Sequence, residues 1–366
     1  MKILLIGTYM PESLFDDCLK RGIRLNPAGQ NFYFRLHRAL KNIADVDVVS
    51  LIPSLPEKPE VPHFTLVERV SSKINPFASA SAMKKAYLRS HKNEEVDFVV
   101  YDSLNLQGAK AAKALARRFG AKLIPVLTDD PQNITGVSKT YIRLCLAFSK
   151  NGDGYFALTP KLGERFNAYQ ARVLLFPGIV EEKKKLPAPV EGDFFYYGGA
   201  LFEKDGVGSL VRAYIASKSP VPLLLSGHGA MEAELKELSQ TVPGLRFLGQ
   251  ISKDENAAYQ QHATLVINPR WYNEELEQVS VPSKDLEYLA NATKIAATPC
   301  DILERVYRNS IYWLPKTGEE IEKALTEIFQ TKASFVPENH SQTKIQKEIG
   351  YESIGKGILA FLESLR

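Results

Sequence analysis

Along this chain, short apolar runs alternate with stretches in which apolar residues recur at helical spacing. The runs at 2–7 (KILLIG), 45–51 (DVDVVSL), 97–102 (DFVVYD), 122–128 (KLIPVLT) and 154–159 (GYFALT) predict strands, and the periodic stretches 29–43 and 106–120 predict helices. The theme repeats further on, with strands expected at 194–199, 222–227, 245–250, 263–269 and 293–298 and helices at 207–217 and 230–240. Strands apolar throughout and separated by helices are the pattern of a parallel sheet covered on both faces. The charged, proline-containing stretch 180–192 reads as a hinge linker between two such halves. The expected fold class is therefore α/β, with two doubly wound Rossmann-like domains at 1–179 and 193–335 facing across a cleft. A helical segment, 336–366, is expected to pack back toward the first. Open sheets of this kind bind ligands beyond the carboxyl ends of their strands.

Composition narrows the classes without choosing among them. With 366 residues, two cores are expected rather than one. The net charge of +4 and pI near 8.7 are too mild to argue for a nucleic-acid partner. The longest apolar runs, RVLLFPGIV and VPLLLSG, stop well short of the ~20 residues that span a bilayer. The amino-terminal MKILLIGTYM lacks a small-residue cleavage site and reads as a first strand, not a signal peptide. Cys18, Cys145 and Cys300 are odd in number and widely spaced, and no histidine pair has a ligand spacing, so a cytoplasmic chain with no disulfide and no metal is expected. From 71 to 93 there is no acidic residue, while Lys73, Lys84, Lys85, Arg89 and Lys92 are interleaved with Phe77, Met83, Tyr87 and Leu88. This stretch is either a solvated helix on the domain edge or a basic amphipathic patch resting on anionic lipid.

Candidate chemistry concentrates in the second half. Gly198-Gly199 ends one strand, where backbone can approach a ligand, and Lys204 follows in the loop. Alone, that is also what a glycine turn and an exposed lysine look like. Ser226-Gly227-His228-Gly229 ends the next strand without the third glycine of a dinucleotide fingerprint. Beyond 245–250, Ser252 and Glu255 form a capping box, which leaves only the backbone of Gln250 and Ile251 for a ligand. The stretch INPRWYNEELEQVSVPSKDLEYLA (267–290) is the richest. A buried strand ends at Asn268-Pro269-Arg270, an acidic loop follows, and a helix opens near Ser280 or Pro282. The free N–H groups and positive dipole of that helix start suit a phosphate, with Arg270 and Lys284 adding charge-assisted contacts. Glu287, one turn in, either complements the dipole or accepts from two vicinal ribose hydroxyls.

In this order the motifs resemble the group 1 glycosyltransferases, retaining enzymes of the glycosyltransferase-B fold that move a sugar from a nucleotide donor. The likeness is to the bacterial subgroup with an N-P-R strand end followed by P-S-K-x-x-E-Y-L, here Asn268-Pro269-Arg270 and Pro282 to Leu289. It extends over NPAGQNFYFRLHRAL (26–40), PVLTDDPQNI (125–134) and GDGYFALTPKLGERF (152–166), nearly the whole chain. The resemblance implies that Glu287 binds the donor ribose and Lys204 the diphosphate. It implies that Ser280, Val281, Pro282 and Ser283 cradle phosphate and sugar, and that Gly29 and Gln30 approach the phosphates from the other domain. Gln250 and Ile251 would hold the base, and Asp129 would lie beside the acceptor hydroxyl. Two positions depart from the family pattern. Gly199 stands where many relatives have an arginine, and Val279 where many have a glutamate; Arg270 is one substitute cation, and Glu274, Glu275 or Glu277 a substitute carboxylate.

The expected activity is transfer of a sugar, with retention, from a nucleotide-diphosphate donor (a UDP-sugar) to a hydroxyl of a glycan or lipid-linked acceptor. Bacterial cell-surface polysaccharide or glycoconjugate synthesis is the implied setting, in the cytoplasm or peripherally on the inner face of the cell membrane. No cofactor is implied. Lys204, Arg270 and the helix start would stabilise the leaving diphosphate where its charge develops, and Asp129 would orient or deprotonate the acceptor unless it is only a turn cap. A sugar-nucleotide epimerase of the same architecture and a non-catalytic nucleotide-sugar-binding protein are the rival readings.

Overall fold

The computed structural model describes every residue except Arg24, Lys73, Thr135, Ala168, Tyr169, Tyr272 and Asn273, and for Glu274 the backbone alone. The chain divides into two compact units. Unit 1 comprises Met1–Ile179 with Ile349–Arg366, and unit 2 comprises Val180–Glu348.

Unit 1 is built on β1 (Lys2–Gly7), β2 (Asp45–Ile52), β3 (Phe64–Glu68), β4 (Phe98–Asp102), β5 (Lys122–Leu127), β6 (Gly154–Ala157) and β7 (Arg172–Leu175). They form a seven-stranded sheet in the order β3-β2-β1-β4-β5-β6-β7, with every named pairing parallel. Ile3 of β1 stands between Val46 of β2 and Phe98 of β4, and all three are buried. A strand covered on both faces has no solvent side, so its sequence does not alternate. The last helix, Tyr351–Glu363, belongs to this unit: Arg38 lies over the Tyr351 ring at 4.6 Å, and Phe361 packs on Phe156 at 5.8 Å.

Unit 2 repeats the design with β8 (Phe195–Ala200), β9 (Leu223–His228), β10 (Leu245–Phe247), β11 (Leu265–Asn268), β12 (Ile295–Ala297) and β13 (Tyr312–Trp313), a sheet ordered β10-β9-β8-β11-β12-β13. Residues 180–192, expected as a linker, fall within unit 2. Lys184 and Leu186 bond through their backbones to Gln261 and His262 at the end of the helix Lys253–His262. That helix opens with both arms of the Ser252–Glu255 capping box in place.

Three strands escaped the pattern reading: β3, β7 and β13. All lie at sheet edges, where one side has no strand to cover it; β7 is half exposed and β13 has two residues. The acidic stretch expected as a loop is the short helix Glu274–Val279. In the basic segment the helix is Ala78–Ser90. Met83 and Tyr87 are buried in the core of unit 1, with Phe77 and Leu88 packed against it. Its apolar face is therefore packed inward, and Lys85, Arg89 and Lys92 are exposed. Lys73 lies outside the described residues.

Candidate functional site

In unit 2 the strand order reverses between β8 and β11, which are hydrogen-bonded neighbours. Such a switch point leaves a crevice above the carboxyl edge, because the chain leaves the two strands toward opposite sides. The residues that converge there follow from those strand ends. Beyond β8 the chain turns through Glu203–Asp205 and Gly206. A Cβ on Gly206 would lie 1.9 Å from the Pro269 carbonyl oxygen, so only glycine lets this turn sit against the Asn268-Pro269-Arg270 strand end. The Trp271 N–H donates to the Lys204 carbonyl at 3.4 Å and ties the two edges together. Lys204 is exposed there, and Arg270 approaches Asp205 at 3.9 Å.

The expected helix is Ser283–Asn291, with Pro282 as N-cap and no side chain capping its first turn. Its positive end is therefore open to an anion. Lys284 extends from this turn over the Tyr197 ring, with its ammonium 3.8 Å from the ring centre. A Cβ on Gly199 would meet Lys284 Cε at 2.6 Å and Nζ at 2.7 Å. The space a side chain at position 199 would take is thus filled by the Lys284 ammonium. Burial lowers the Lys284 pKa to about 8, against the opposing pull of Asp205, Asp285 and Glu287. Beside it Asp285 is fully buried; burial pushes its carboxyl up to about 7, although Asn268 Nδ2 donates to it at 2.6 Å.

Other expected site residues are placed differently. The Gly198 N–H donates to the Tyr288 hydroxyl at 3.2 Å, and a Cβ there would strike Asn256 and Tyr196. Gly227 packs its backbone against Gly199 and gives its N–H to the Gly249 carbonyl at 2.9 Å. Both glycines thus pack within the sheet edge. The Ser280 N–H bonds to the Leu276 carbonyl at 3.0 Å, and its own carbonyl accepts from Cys300 Sγ, so both its backbone groups are engaged within unit 2. Gln250 and Ile251 follow β10 at the same edge, and Glu287 lies near enough to Lys284 and Tyr196 to act on both electrostatically. Of the proposed replacement carboxylates, Glu277 is paired with Lys316 at 2.8 Å and Glu275 is exposed. The Glu274 side chain lies outside the described residues.

In unit 1, Gly29 gives its N–H to Asn26, the N-cap of the helix Pro27–Lys41. Gln30 clamps the Met10 backbone, accepting its N–H at 3.1 Å and donating to its carbonyl at 2.6 Å. Both polar groups are thus engaged within the scaffold of unit 1. The turn-capping role considered for Asp129 belongs instead to Asp130, which caps Pro131–Asn133 and pairs with Arg165 at 2.6 Å; Asp129 is exposed at the end of β5.

Sequence reading missed Asp205, Asp285, Asn256 and the Tyr196–Ser226 bond, because their partners are distant in sequence. It also missed a donor cluster in unit 1. Asp45, Asp47 and His63 converge, as do Asp47, His91 and Glu94. Lys2 Nζ already lies among them, 2.9 Å from Asp47 and 3.5 Å from Asp45. Burial pushes the Asp47 carboxyl up, but hydrogen bonds from Lys2 and His63 more than offset this and lower its pKa.

No family model matches the chain, and no curated protein matches its sequence. Solved structures do. The chain is similar to sucrose-phosphate synthase from Thermosynechococcus elongatus, with TM-score 0.67 and 14% identity over 100% of this chain and 99% of that one. It is similar to Anabaena HepE in complex with UDP and glucose, with TM-score 0.64 and 13% identity over 100% of both. A candidate UDP-N-acetylglucosamine 2-epimerase from Listeria monocytogenes matches at TM-score 0.56 and 13% identity, over 100% of this chain and 96% of that one. The chain has the glycosyltransferase-B fold, with a doubly wound parallel sheet in each unit.

Proposed function

We propose that this chain is a retaining glycosyltransferase that binds a nucleotide-diphosphate sugar, a UDP-sugar, at the carboxyl edge of the unit 2 sheet. One observation carries the reading: Lys204, Arg270, Lys284 and the uncapped start of Ser283–Asn291 all stand at the β8/β11 switch point. Glycosyl transfer moves negative charge onto the departing diphosphate, and fixed positive groups beside it lower the barrier. In this scheme Glu287 holds the ribose diol, Gln250 and Ile251 the base, and Val281 to Ser283 the phosphate and sugar. The structure of HepE with UDP and glucose supports the donor class by likeness of fold. The acceptor is a hydroxyl of a glycan or lipid-linked glycan, in cell-surface polysaccharide or glycoconjugate synthesis on the cytoplasmic side of the membrane. The exposed basic face of Ala78–Ser90 would rest on anionic lipid through charge.

The test is a thermal-shift screen of nucleoside diphosphates and sugar nucleotides, repeated with Glu287→Ala. At one hundred times Kd the ligand should stabilise the fold by about 2.7 kcal/mol. A shift confined to one nucleotide family and lost in the variant is expected. Absence of any shift would remove the donor site. A same-fold epimerase is a live alternative, given the Listeria neighbour. It would interconvert sugar nucleotides without releasing nucleoside diphosphate, whereas a transferase releases it.

A further inference from the structure

Two buried carboxylates stand among the cations of the unit 2 edge, and the transferase reading gives neither of them a task. Asp285 is 0% exposed and Asp205 7%. A carboxylate repels a diphosphate, so an anion site is an unfavourable place to bury one unless its charge is used. Asp285 Oδ2 and Asp205 Oδ2 have no hydrogen-bond partner, and neither does Asn268 Oδ1 beside Asp285. Native chains pair nearly all their buried polar atoms, so these oxygens are compensated by the charges around them.

The two acids are held differently. Asp205 lies in the turn beyond β8, with Arg270 Nε 3.9 Å from its Oδ1. Asp285 lies in the first turn of Ser283–Asn291, next to Lys284 in the chain, and its Oδ1 accepts from Asn268 Nδ2 at 2.6 Å. Asn268 ends β11 and is itself 1% exposed. The Asp285 carboxyl is therefore pinned between a strand end and a helix start. An acid in a first turn commonly complements the helix dipole from the surface; this one is enclosed beside a lysine that also packs on Tyr197 and Gly199.

The groups that face Lys284 are Asp205 from the turn after β8, Arg270 from the end of β11, Asp285 and Glu287 from its own helix, and Tyr197 of β8. Those that face Asp285 are Lys284, Arg270, Tyr288 and Cys300. Asp285 and Lys284 each favour the charged form of the other, whereas Arg270 works against the ammonium.

We propose that Asp285 is a positioning residue of the donor site: pinned by Asn268, its carboxylate is the fixed counter-charge that keeps Lys284 an ammonium beside the Tyr197 ring until a diphosphate arrives. The assignment rests on the donor reading above. Burial works against a lone ammonium, and a neutral amine would offer a diphosphate no charge. Burial also holds the Asp285 carboxyl up at about 7, so the counter-charge is present above that value and absent below it. Without it, Lys284 gives up its proton at a lower pH.

Calorimetric titration of the full chain with UDP across pH, repeated with Asp285→Asn, tests the assignment. The pH at which UDP affinity falls should move down by about one unit in the variant. At about pH 6, where the wild-type carboxyl is already protonated, affinity and melting temperature should match wild type within a few-fold and a few degrees. In a Lys284→Arg background the same substitution should leave the pH dependence unchanged, because Asp285 acts through Lys284. An unmoved fall, an equal loss of affinity at every pH, or a shift that persists beside Arg at 284 would overturn the assignment and spare the donor reading. If Asp285→Asn melts early even at about pH 6, Asn268→Ala decides. It removes the donor that favours the Asp285 carboxylate, so the fall should again move to lower pH, and an unmoved fall counts against the assignment. A wild-type chain that binds UDP equally at all pH values would also overturn it. One that binds no nucleotide at all would bring down the donor reading first, and this assignment with it.

Discussion

Lys284 illustrates how much a single side chain can depend on its surroundings. In the sequence it is one lysine of a P-S-K motif. In the fold its ammonium sits on the Tyr197 ring, in space left by Gly199, and burial brings its pKa down to about 8. A diphosphate beside it would favour the ammonium over the neutral amine and so raise that pKa on binding. Affinity for UDP should therefore be fully present below the free-state value and fall as pH rises through about 8, by at most about tenfold per pH unit. Titration calorimetry between about pH 7 and pH 9.5 reads this directly. Lys284→Arg, charged throughout that range, should flatten the profile. A flat wild-type profile would place the diphosphate away from Lys284. Nothing in the sequence announces the shifted pKa, since Tyr197, Asp205 and Asp285 reach Lys284 only through the folded sheet edge.

At the scale of elements, local pattern and tertiary demand part company at strand ends. The helix Val207–Ser217 and the start of Ser283–Asn291 were legible, because helical spacing and proline placement act within a few residues. The reason for glycine at 199 was not. There the sequence shows only an absent arginine, whereas the structure shows a neighbour from another element occupying the place. Gly199→Ala would put a methyl group 2.6 Å from Lys284 Cε, at a φ of +151° that side chains rarely adopt. We expect the variant to fold and its UDP affinity to drop by roughly tenfold, or 1.4 kcal/mol, measured by the same thermal-shift titration. Gly357→Ala is the control, because nothing lies within 4 Å of its added Cβ. Equal UDP affinity in the two variants would show that the Lys284 position does not matter for binding.

For the whole molecule, charge distribution gives the testable consequence. Among the described residues, no helix is long and apolar enough to cross a membrane. The basic helix Ala78–Ser90 has its apolar side in the core of unit 1, so any hold on a bilayer would come from its outward cations. Each is worth about 1 kcal/mol near an anionic surface. Sedimentation with phosphatidylglycerol-containing vesicles should show binding that high salt abolishes and that the Lys84→Gln/Lys85→Gln/Arg89→Gln variant loses. Binding that persists in that variant would rule this face out.

The alternation of wholly apolar runs with amphipathic stretches was enough to determine two parallel α/β sheets, since strands buried on both faces and helices buried on one leave those marks on any chain. It was also enough to bring Lys204 and Arg270 to a sheet edge, because each lies just beyond a strand end. Tertiary structure alone decided the rest. It took Gly29, Gln30 and Ser280 into hydrogen bonds of the scaffold, gave the turn cap to Asp130, and placed Asp102 beside Tyr33 at a switch point. Those outcomes depend on strand order and on contacts between residues far apart in the chain, and periodicity carries no record of either.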